Sequence, residues 1–268
     1  MSERVTVAVK GGVADVRLNR PEKLNALDNQ MFRAIVDAGE ELKSRDDVRA
    51  VVLSGEGRSF CAGLDFSSFQ AMGSDRAENQ AEPPVDHLDG RITHLGQQAA
   101  WVWQELKVPV IGAIEGHALG GGFQIAMGPD IRIIHPDTKM SILEIRWGLV
   151  PDMGASVTLP PMVGLDVMKE MYFTGKMVSG VEAVELGIAT RLDNNPHEAA
   201  MELAGEIAHK NPEAIRRMKS ILNGLTERTT AERFAAEREH IEALIGSPNQ
   251  KEAVKAVSYT HLTLPTKA

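Results

Sequence analysis

Apolar and polar positions alternate at Val5, Val7 and Val9, and again over residues 13–18, on either side of Gly11-Gly12. That pattern predicts a β-hairpin. Beyond it the period changes: Met31, Ile35, Ala38 and Leu42 recur at helical spacing behind Asp28, a residue type that caps helix starts. A helix is therefore expected from Asp28 through Lys43. The apolar run 50–53, closed by Ser54-Gly-Glu-Gly57, predicts a buried strand. Residues 70–90, rich in Gly, Asp, Glu and Asn and holding two adjacent prolines, read as a mobile loop. A helix over 92–107 carrying Trp101 and Trp103 follows, then a strand over 108–114. A short helix opens at Gly121, and strands are expected over 131–134 and 140–142. From Ala155 the pattern is mostly helical, with Ser179 and Asn211-Pro212 marking starts. Alternating strands and helices followed by a helical third indicate an α/β core, with later helices packing on it or on a neighbour.

The last segment, 257–268, replaces a Glu/Lys/Ala helical pattern with β-branched residues and Pro265. It reads either as a natural frayed tail or, preferably, as a non-native addition that should be left out of the fold. On that reading the chain divides into a core over 1–195, a helical region over 196–256 and the tail. A helix interrupted after Ala256 would weaken contacts made by the C-terminus.

Composition narrows the class. A net charge of −8 argues against a nucleic-acid role and requires a local basic patch for any anionic ligand. The single cysteine, Cys61, fits a reducing compartment, and the absence of a leader pattern fits the cytoplasm. No apolar run reaches the roughly 18 residues of a membrane span.

Two glycine-bearing stretches carry the chemistry: SFCAGLD over 59–65 and EGHALGGGFQ over 115–124. Each follows a predicted buried strand. Such junctions can be tight turns that support a sheet, or they can aim main-chain N–H groups at one developing negative charge. Neither stretch has the G-x-G-x-x-G spacing or the Gly-Lys-Ser/Thr ending of nucleotide loops.

The run NRPEKLNAL over 19–27, the two glycine stretches and the segment 144–154 occur in the order of the crotonase (enoyl-CoA hydratase/isomerase) superfamily, which residues 5–255 resemble. The resemblance implies a repeated ββα spiral core with C-terminal trimerisation helices. It also implies an acyl-coenzyme A thioester as substrate, no separate cofactor, and a homotrimer or a hexamer of two trimers. By position, the N–H groups of Leu64 and Gly121 would bind the thioester oxygen. Gly63, Gly120 and Gly122 would let the ligand approach closely. The carbonyl near Ala62 would receive the adenine amino group. Arg20 and Lys23 would meet the coenzyme phosphates, with Leu24, Ala26 and Asp65 alongside.

Hydrating a conjugated double bond takes a base for water and a proton source for the α carbon, work that two carboxyl groups can share. Hydratases of the family carry two glutamates. Glu144 matches the second, but Gln124 stands at the first and has no titrating proton. Isomerases of the family can work with one carboxylate. Asp152 lies where dienoyl-CoA isomerases place an acid, although those enzymes also carry Asp at the position of Gln124. Asp152 is left with two roles, a pocket carboxylate or a helix cap. Glu144 could instead be a buried carboxylate paired with Arg132 or Arg146.

Other polar residues are given structural roles. His117 is expected to hydrogen-bond locally, and Asp65 to hold its loop as an Asx residue. Cys61 lacks a neighbouring base. His87 and His94 lack metal-ligand spacing, so no metal site is expected. Trp101, Trp103 and Phe69 are expected to pack the helix, and the charge-alternating run 227–242 to be a solvated or intersubunit face. The functions implied are enoyl-CoA isomerisation or hydration through Glu144, with a non-catalytic acyl-CoA-binding trimer as the alternative. A thioester hydrolase lacks a placed nucleophile.

Overall fold

The computed structural model describes residues 4–65, 88 and 90–262, with side chains through residue 257. The loop expected over 70–90, with His87 and Phe69, falls almost wholly outside these residues.

β1 (Val5–Lys10) and β2 (Val13–Leu18) form the expected hairpin, registered from Val5 opposite Leu18 to Lys10 opposite Val13. α1 (Asn29–Lys43) starts where the Asp28 carboxylate accepts the Met31 N–H at 2.7 Å. Its Met31, Ile35, Ala38 and Leu42 are all buried. β3 (Ala50–Gly55) runs parallel to β2. β4 (Val110–Ile114), β6 (Ile131–Ile134) and β9 (Arg191–Leu192) extend the same sheet in parallel, giving the order β1-β2-β3-β4-β6-β9.

A smaller sheet forms from β5 (His117–Leu119), β7 (Lys139–Ser141) and β8 (Val178–Ser179) in the order β5-β7-β8. Cys61 bridges Ala118 at its edge. Successive passes of the chain therefore give one segment to each sheet: β3 then Cys61, β4 then β5, β6 then β7, and in reverse β8 then β9. This is the repeated spiral that the sequence implied.

Side-chain alternation settles which helices cover which face. On β3, Val51 and Leu53 join the core under α1 and α2 (Leu95–Glu105), whereas Ala50 and Val52 join a second core on the opposite face. A slip of one residue would exchange the two sets, so the register is strongly fixed. Gly39 of α1 lies so close to Val102 of α2 that any larger residue would collide with it. The opposite face is covered by α7 (Pro196–Ala208), which follows α3 (Gly121–Ala126), α4 (Ala155–Thr158), α5 (Leu165–Thr174) and α6 (Gly180–Glu185) in the chain. Its Ala199, Ala200, Ala204 and Ala208 pack against Val52, Ile111 and Ile133. α7 thus packs directly on the main sheet.

Three expectations shift in detail. The helix expected over 92–107 begins at Leu95 because His94 caps it, and the strand expected from 108 begins at Val110, after Pro109. The helix expected to break after Ala256 does not: α10 (Pro248–Leu262) runs past it. Propagating a formed helix costs little even through β-branched residues, and Pro265 lies further on. Among the described residues no helix is long and apolar enough to cross a membrane.

α8 (Pro212–Asn223) is held by one buried ammonium. Lys219 Nζ donates to the carbonyls of Trp103 and Val108 and to Asp130 Oδ2 at 2.7 Å. The same Asp130 oxygen accepts the Val110 N–H that opens β4. α9 (Thr230–Leu244), by contrast, buries no residue. Lys219→Met should lower the unfolding free energy by about 2–3 kcal/mol, because it leaves Asp130 and two carbonyls underpaired. Denaturant unfolding checks this, and an unchanged midpoint would refute the anchoring role.

Candidate active site

The two glycine stretches lie side by side. Phe60 N–H donates to Glu115 O at 2.9 Å and Cys61 N–H to His117 O at 2.8 Å, while Leu119 N–H returns to Cys61 O at 3.1 Å. This approach requires residues without side chains. A Cβ on Gly63, whose φ is 89°, would stand 2.5 Å from Leu119 O, and one on Gly122 would collide with Cys61 O. Leu64 pairs in parallel with Leu27: Leu27 N–H donates to Gly63 O and Asp65 N–H to Leu27 O. In such a pair the Leu64 N–H points to the other side, and it has no partner among the described residues. Gly121 opens α3, where first-turn N–H groups lack helical partners. A Cβ there would stand 2.8 Å from Leu27 Cδ1 and 2.9 Å from Met153 Sδ. Leu27 therefore joins Leu64 on its backbone side to Gly121 on its side-chain side.

The 20–27 loop is fastened to the first stretch. Leu24 (φ 52°) and Asn25 (φ 55°) both adopt left-handed backbone. Leu24 O accepts the Ala62 N–H, and the fully buried Asn25 amide donates to Glu56 O and Ser59 O. Sequence reasoning missed Asn25, although an Asn following such a turn is the residue type that tolerates this conformation. The Ala62 carbonyl accepts from no group among the described residues. Lys23 is exposed and its ammonium has no partner among them. The Arg20 guanidinium lies 2.6 Å from Asp65 and 3.5 Å from Asp28, and donates to the buried Ala26 carbonyl at 3.1 Å, so it clamps the loop. Asp65 carries the ion pair with Arg20.

Glu144 begins a one-turn 3₁₀ segment (Glu144–Trp147) directly after β7. Its carboxylate lies against Gly120: a Cβ there would be 3.6 Å from Oε1. Gln124, in the first turns of α3, donates from Nε2 to Glu144 Oε1 at 2.7 Å. Its Oε1 accepts the Met153 and Ala155 N–H groups at 2.8 and 3.3 Å. Both ends of Gln124 are thus occupied in holding Glu144 and the 153–155 turn. Among the described residues Glu144 Oε2 is buried and without a partner, as is the Tyr172 hydroxyl. Neither arginine pairs with Glu144: Arg132 donates to Ile188 O and Pro129 O, and Arg146 approaches Gly175 O.

Asp152 is exposed and does not cap α4, whose N-cap is Gly154 and which has no side-chain cap. Its carbonyl accepts from His94 Nε2 at 3.1 Å, while His94 Nδ1 accepts the Gly96 N–H at 3.1 Å and caps α2. His94 therefore ties α2 to the turn beside Glu144, a role that its spacing in the sequence did not reveal. His117 hydrogen-bonds to Ser59 Oγ as expected, and Trp103 is buried. Burial pushes the Cys61 thiol up to about 12, which removes it as a nucleophile. Among the described residues no three His, Cys, Asp or Glu side chains are placed to hold a metal ion. A cavity of about 440 Å³ between α2 and α8–α9 is lined by Lys107, Arg216 and His240, and no expected site residue borders it.

Comparison with known proteins identifies the family. The family model described as enoyl-CoA hydratase/isomerase matches residues 8–259. The short-chain-enoyl-CoA hydratase of Clostridium acetobutylicum is 30% identical over 257 residues, covering 94% of this chain and 93% of that protein. The mitochondrial Δ(3,5)-Δ(2,4)-dienoyl-CoA isomerase of Rattus norvegicus is 32% identical over 228 residues, covering 81% and 67%. The crystal structure of enoyl-CoA hydratase from Mycobacterium tuberculosis H37Rv superposes with a TM-score of 0.83 at 26% identity, over 97% of each chain. The chain belongs to the enoyl-CoA hydratase/isomerase family and has its crotonase fold.

Burial is the largest influence on Glu144 and raises its pKa above the ordinary 4.5. Hydrogen bonds from its own N–H and from Gln124 oppose the rise, and the neighbouring Asp152 charge adds to it. If the ionised carboxylate is the active form, the acid limb of kcat/KM lies above 4.5, with activity rising as Glu144 loses its proton. Asp152→Asn removes one like charge and should move that limb to lower pH. A limb that stays in place would separate Asp152 from Glu144.

Proposed function

We propose that this chain acts on enoyl-CoA thioesters, with Glu144 carrying a proton to and from the carbons beside the carbonyl. The thioester oxygen sits between the Leu64 and Gly121 N–H groups, which strengthen their hold as enolate charge develops on it. A donor aimed at such an oxygen is worth about 10²–10³ in rate. The coenzyme end lies along the 20–26 loop, where the open Ala62 carbonyl accepts the adenine amino group and Lys23 meets a phosphate.

The observation that supports this reading is the state of the Glu144 carboxylate. One oxygen is fixed by Gln124, the other is buried beside Gly120 and unpartnered among the described residues. Because Gln124 cannot titrate and is held at both ends, the leading reaction is one that a single carboxylate can complete. Glu144 removes a proton from one carbon of a 3-enoyl thioester and returns it two carbons along, leaving the 2-enoyl isomer. Homotrimers, in which α9 and α10 meet neighbours, remain part of this proposal.

The test is to supply 3-enoyl-, 3,5-dienoyl- and 2-enoyl-CoA and follow the conjugated thioester absorbance. The 3-enoyl substrate should gain that absorbance, and Glu144→Gln should slow the gain by about 10³-fold while thioester binding persists. Rapid loss of the 2-enoyl band with no change in the other substrates would remove the isomerase preference. An unaltered Glu144→Gln enzyme would remove Glu144 as the proton carrier.

A further inference from the structure

The Glu144 carboxylate and the Gly121 N–H belong to different elements, and one turn touches both. Gln124 fixes Glu144 Oε1 and takes the Met153 and Ala155 N–H groups at its other end. The Met153 side chain is buried and reaches back to Gly121, where a Cβ would stand 2.9 Å from its Sδ. The chain leading from Glu144 to this turn runs over the surface, with residues 145–150 and 152 exposed. Its far end is fastened to α2 by His94. That imidazole is buried, with Nε2 3.1 Å from Asp152 O and Nδ1 3.1 Å from Gly96 N and 3.4 Å from Gln97 N. A carbonyl can only accept and an amide N–H can only donate, so the ring is neutral with its proton on Nε2. Met153 packs alongside: a Cβ on Gly96 would stand 3.1 Å from His94 Cε1 and 3.4 Å from Met153 Cγ. α2 is a firm base for this link, because Ala99, Ala100, Val102 and Trp103 are all buried in the core.

We propose that His94 is a positioning residue of this site: by holding the 152–153 turn against α2, it sets the Glu144 carboxylate and the Gly121 N–H relative to each other. A neutral imidazole suits the task because it accepts at one edge and donates at the other, spanning the gap between a helix start and a carbonyl. Through Gln124 it fixes where the proton carrier stands. Through Met153 it backs the first turn of α3, which carries the N–H assigned to the thioester oxygen. His94 itself moves no proton. Its contribution is the distance between the group that takes a proton and the group that receives the resulting charge. A displacement of about 1 Å at such a pair can cost about 10²-fold in rate. The coenzyme end lies along the 20–26 loop, away from this link, so the effect falls on kcat and spares KM.

The proposal rests on the thioester reading of the site, and its test separates the two. His94→Asn keeps an oxygen that can cap α2, since Asn is a strong N-cap residue, but its side chain is too short to reach Asp152 as well. His94→Ala loses both contacts. Each is assayed in whichever reaction the wild-type protein performs, the double-bond shift of 3-enoyl-CoA or the hydration of 2-enoyl-CoA. His94→Asn should lower kcat by about 10- to 10²-fold, with KM within about twofold and an unfolding midpoint near that of the wild type. His94→Ala should lose kcat to the same extent and stability as well, because the cap goes with the link. In a double-mutant cycle the losses from His94→Asn and Gln124→Ala should not multiply, because both release one turn. Unchanged kcat in His94→Asn, a loss confined to KM, or losses that multiply would each overturn the role of His94 and leave the thioester reading standing. A wild-type protein that transforms neither substrate overturns that reading, and this proposal with it.

Discussion

Everything at this site depends on two backbones approaching more closely than side chains allow. Cys61 exchanges hydrogen bonds with His117 and Leu119, and Gly63 and Gly122 leave room where any Cβ would strike a carbonyl. That contact joins the first turn of the spiral to the second. It also leaves the Leu64 and Gly121 N–H groups without partners among the described residues, on either side of Leu27. Unmade backbone hydrogen bonds cost stability, so their persistence at one point is a constraint imposed by the surrounding sheets. The two parallel strands β3 and β4 deliver the stretches, and the small sheet holds them together.

The side-chain chemistry is built on this frame and depends on Gln124. A glutamine amide donates at one end and accepts at the other, which lets it bind a carboxylate and two N–H groups at once. Glutamate in its place could not donate to Glu144 unless protonated. The substitution that removes a second acid thus supplies rigidity: Glu144, the 153–155 turn and α3 become one hydrogen-bonded unit. His94 adds α2 to the same unit through the Asp152 carbonyl. Burial raises the Glu144 pKa and the Gln124 hydrogen bond lowers it, so the carboxylate is drawn toward the range in which it can both take and release a proton.

Much of this was legible in the residues. The hairpin, α1 with its Asp28 cap, the buried strands and the Ser179 and Asn211 caps follow from local periodicity and capping chemistry, which act within a few residues. The glycine stretches were legible because a close backbone approach admits few other residues. What stayed hidden depends on distant partners. Arg20 is basic in sequence, but Asp28 and Asp65 close on it only after folding. Lys219 meets Asp130 across 89 positions. Asp152 before Gly154 resembles a cap, and only the path of the turn shows that it does not cap α4.

The central claim is that a backbone-bound thioester loses a proton to Glu144, and hydrogen exchange measures that step without assuming which product follows. A saturated acyl-CoA incubated in deuterated water with the wild-type protein should take up deuterium at the α carbon, and Glu144→Gln should abolish the uptake without abolishing binding. An acyl-CoA that binds yet exchanges no α proton, or exchange undiminished in Glu144→Gln, would contradict the account.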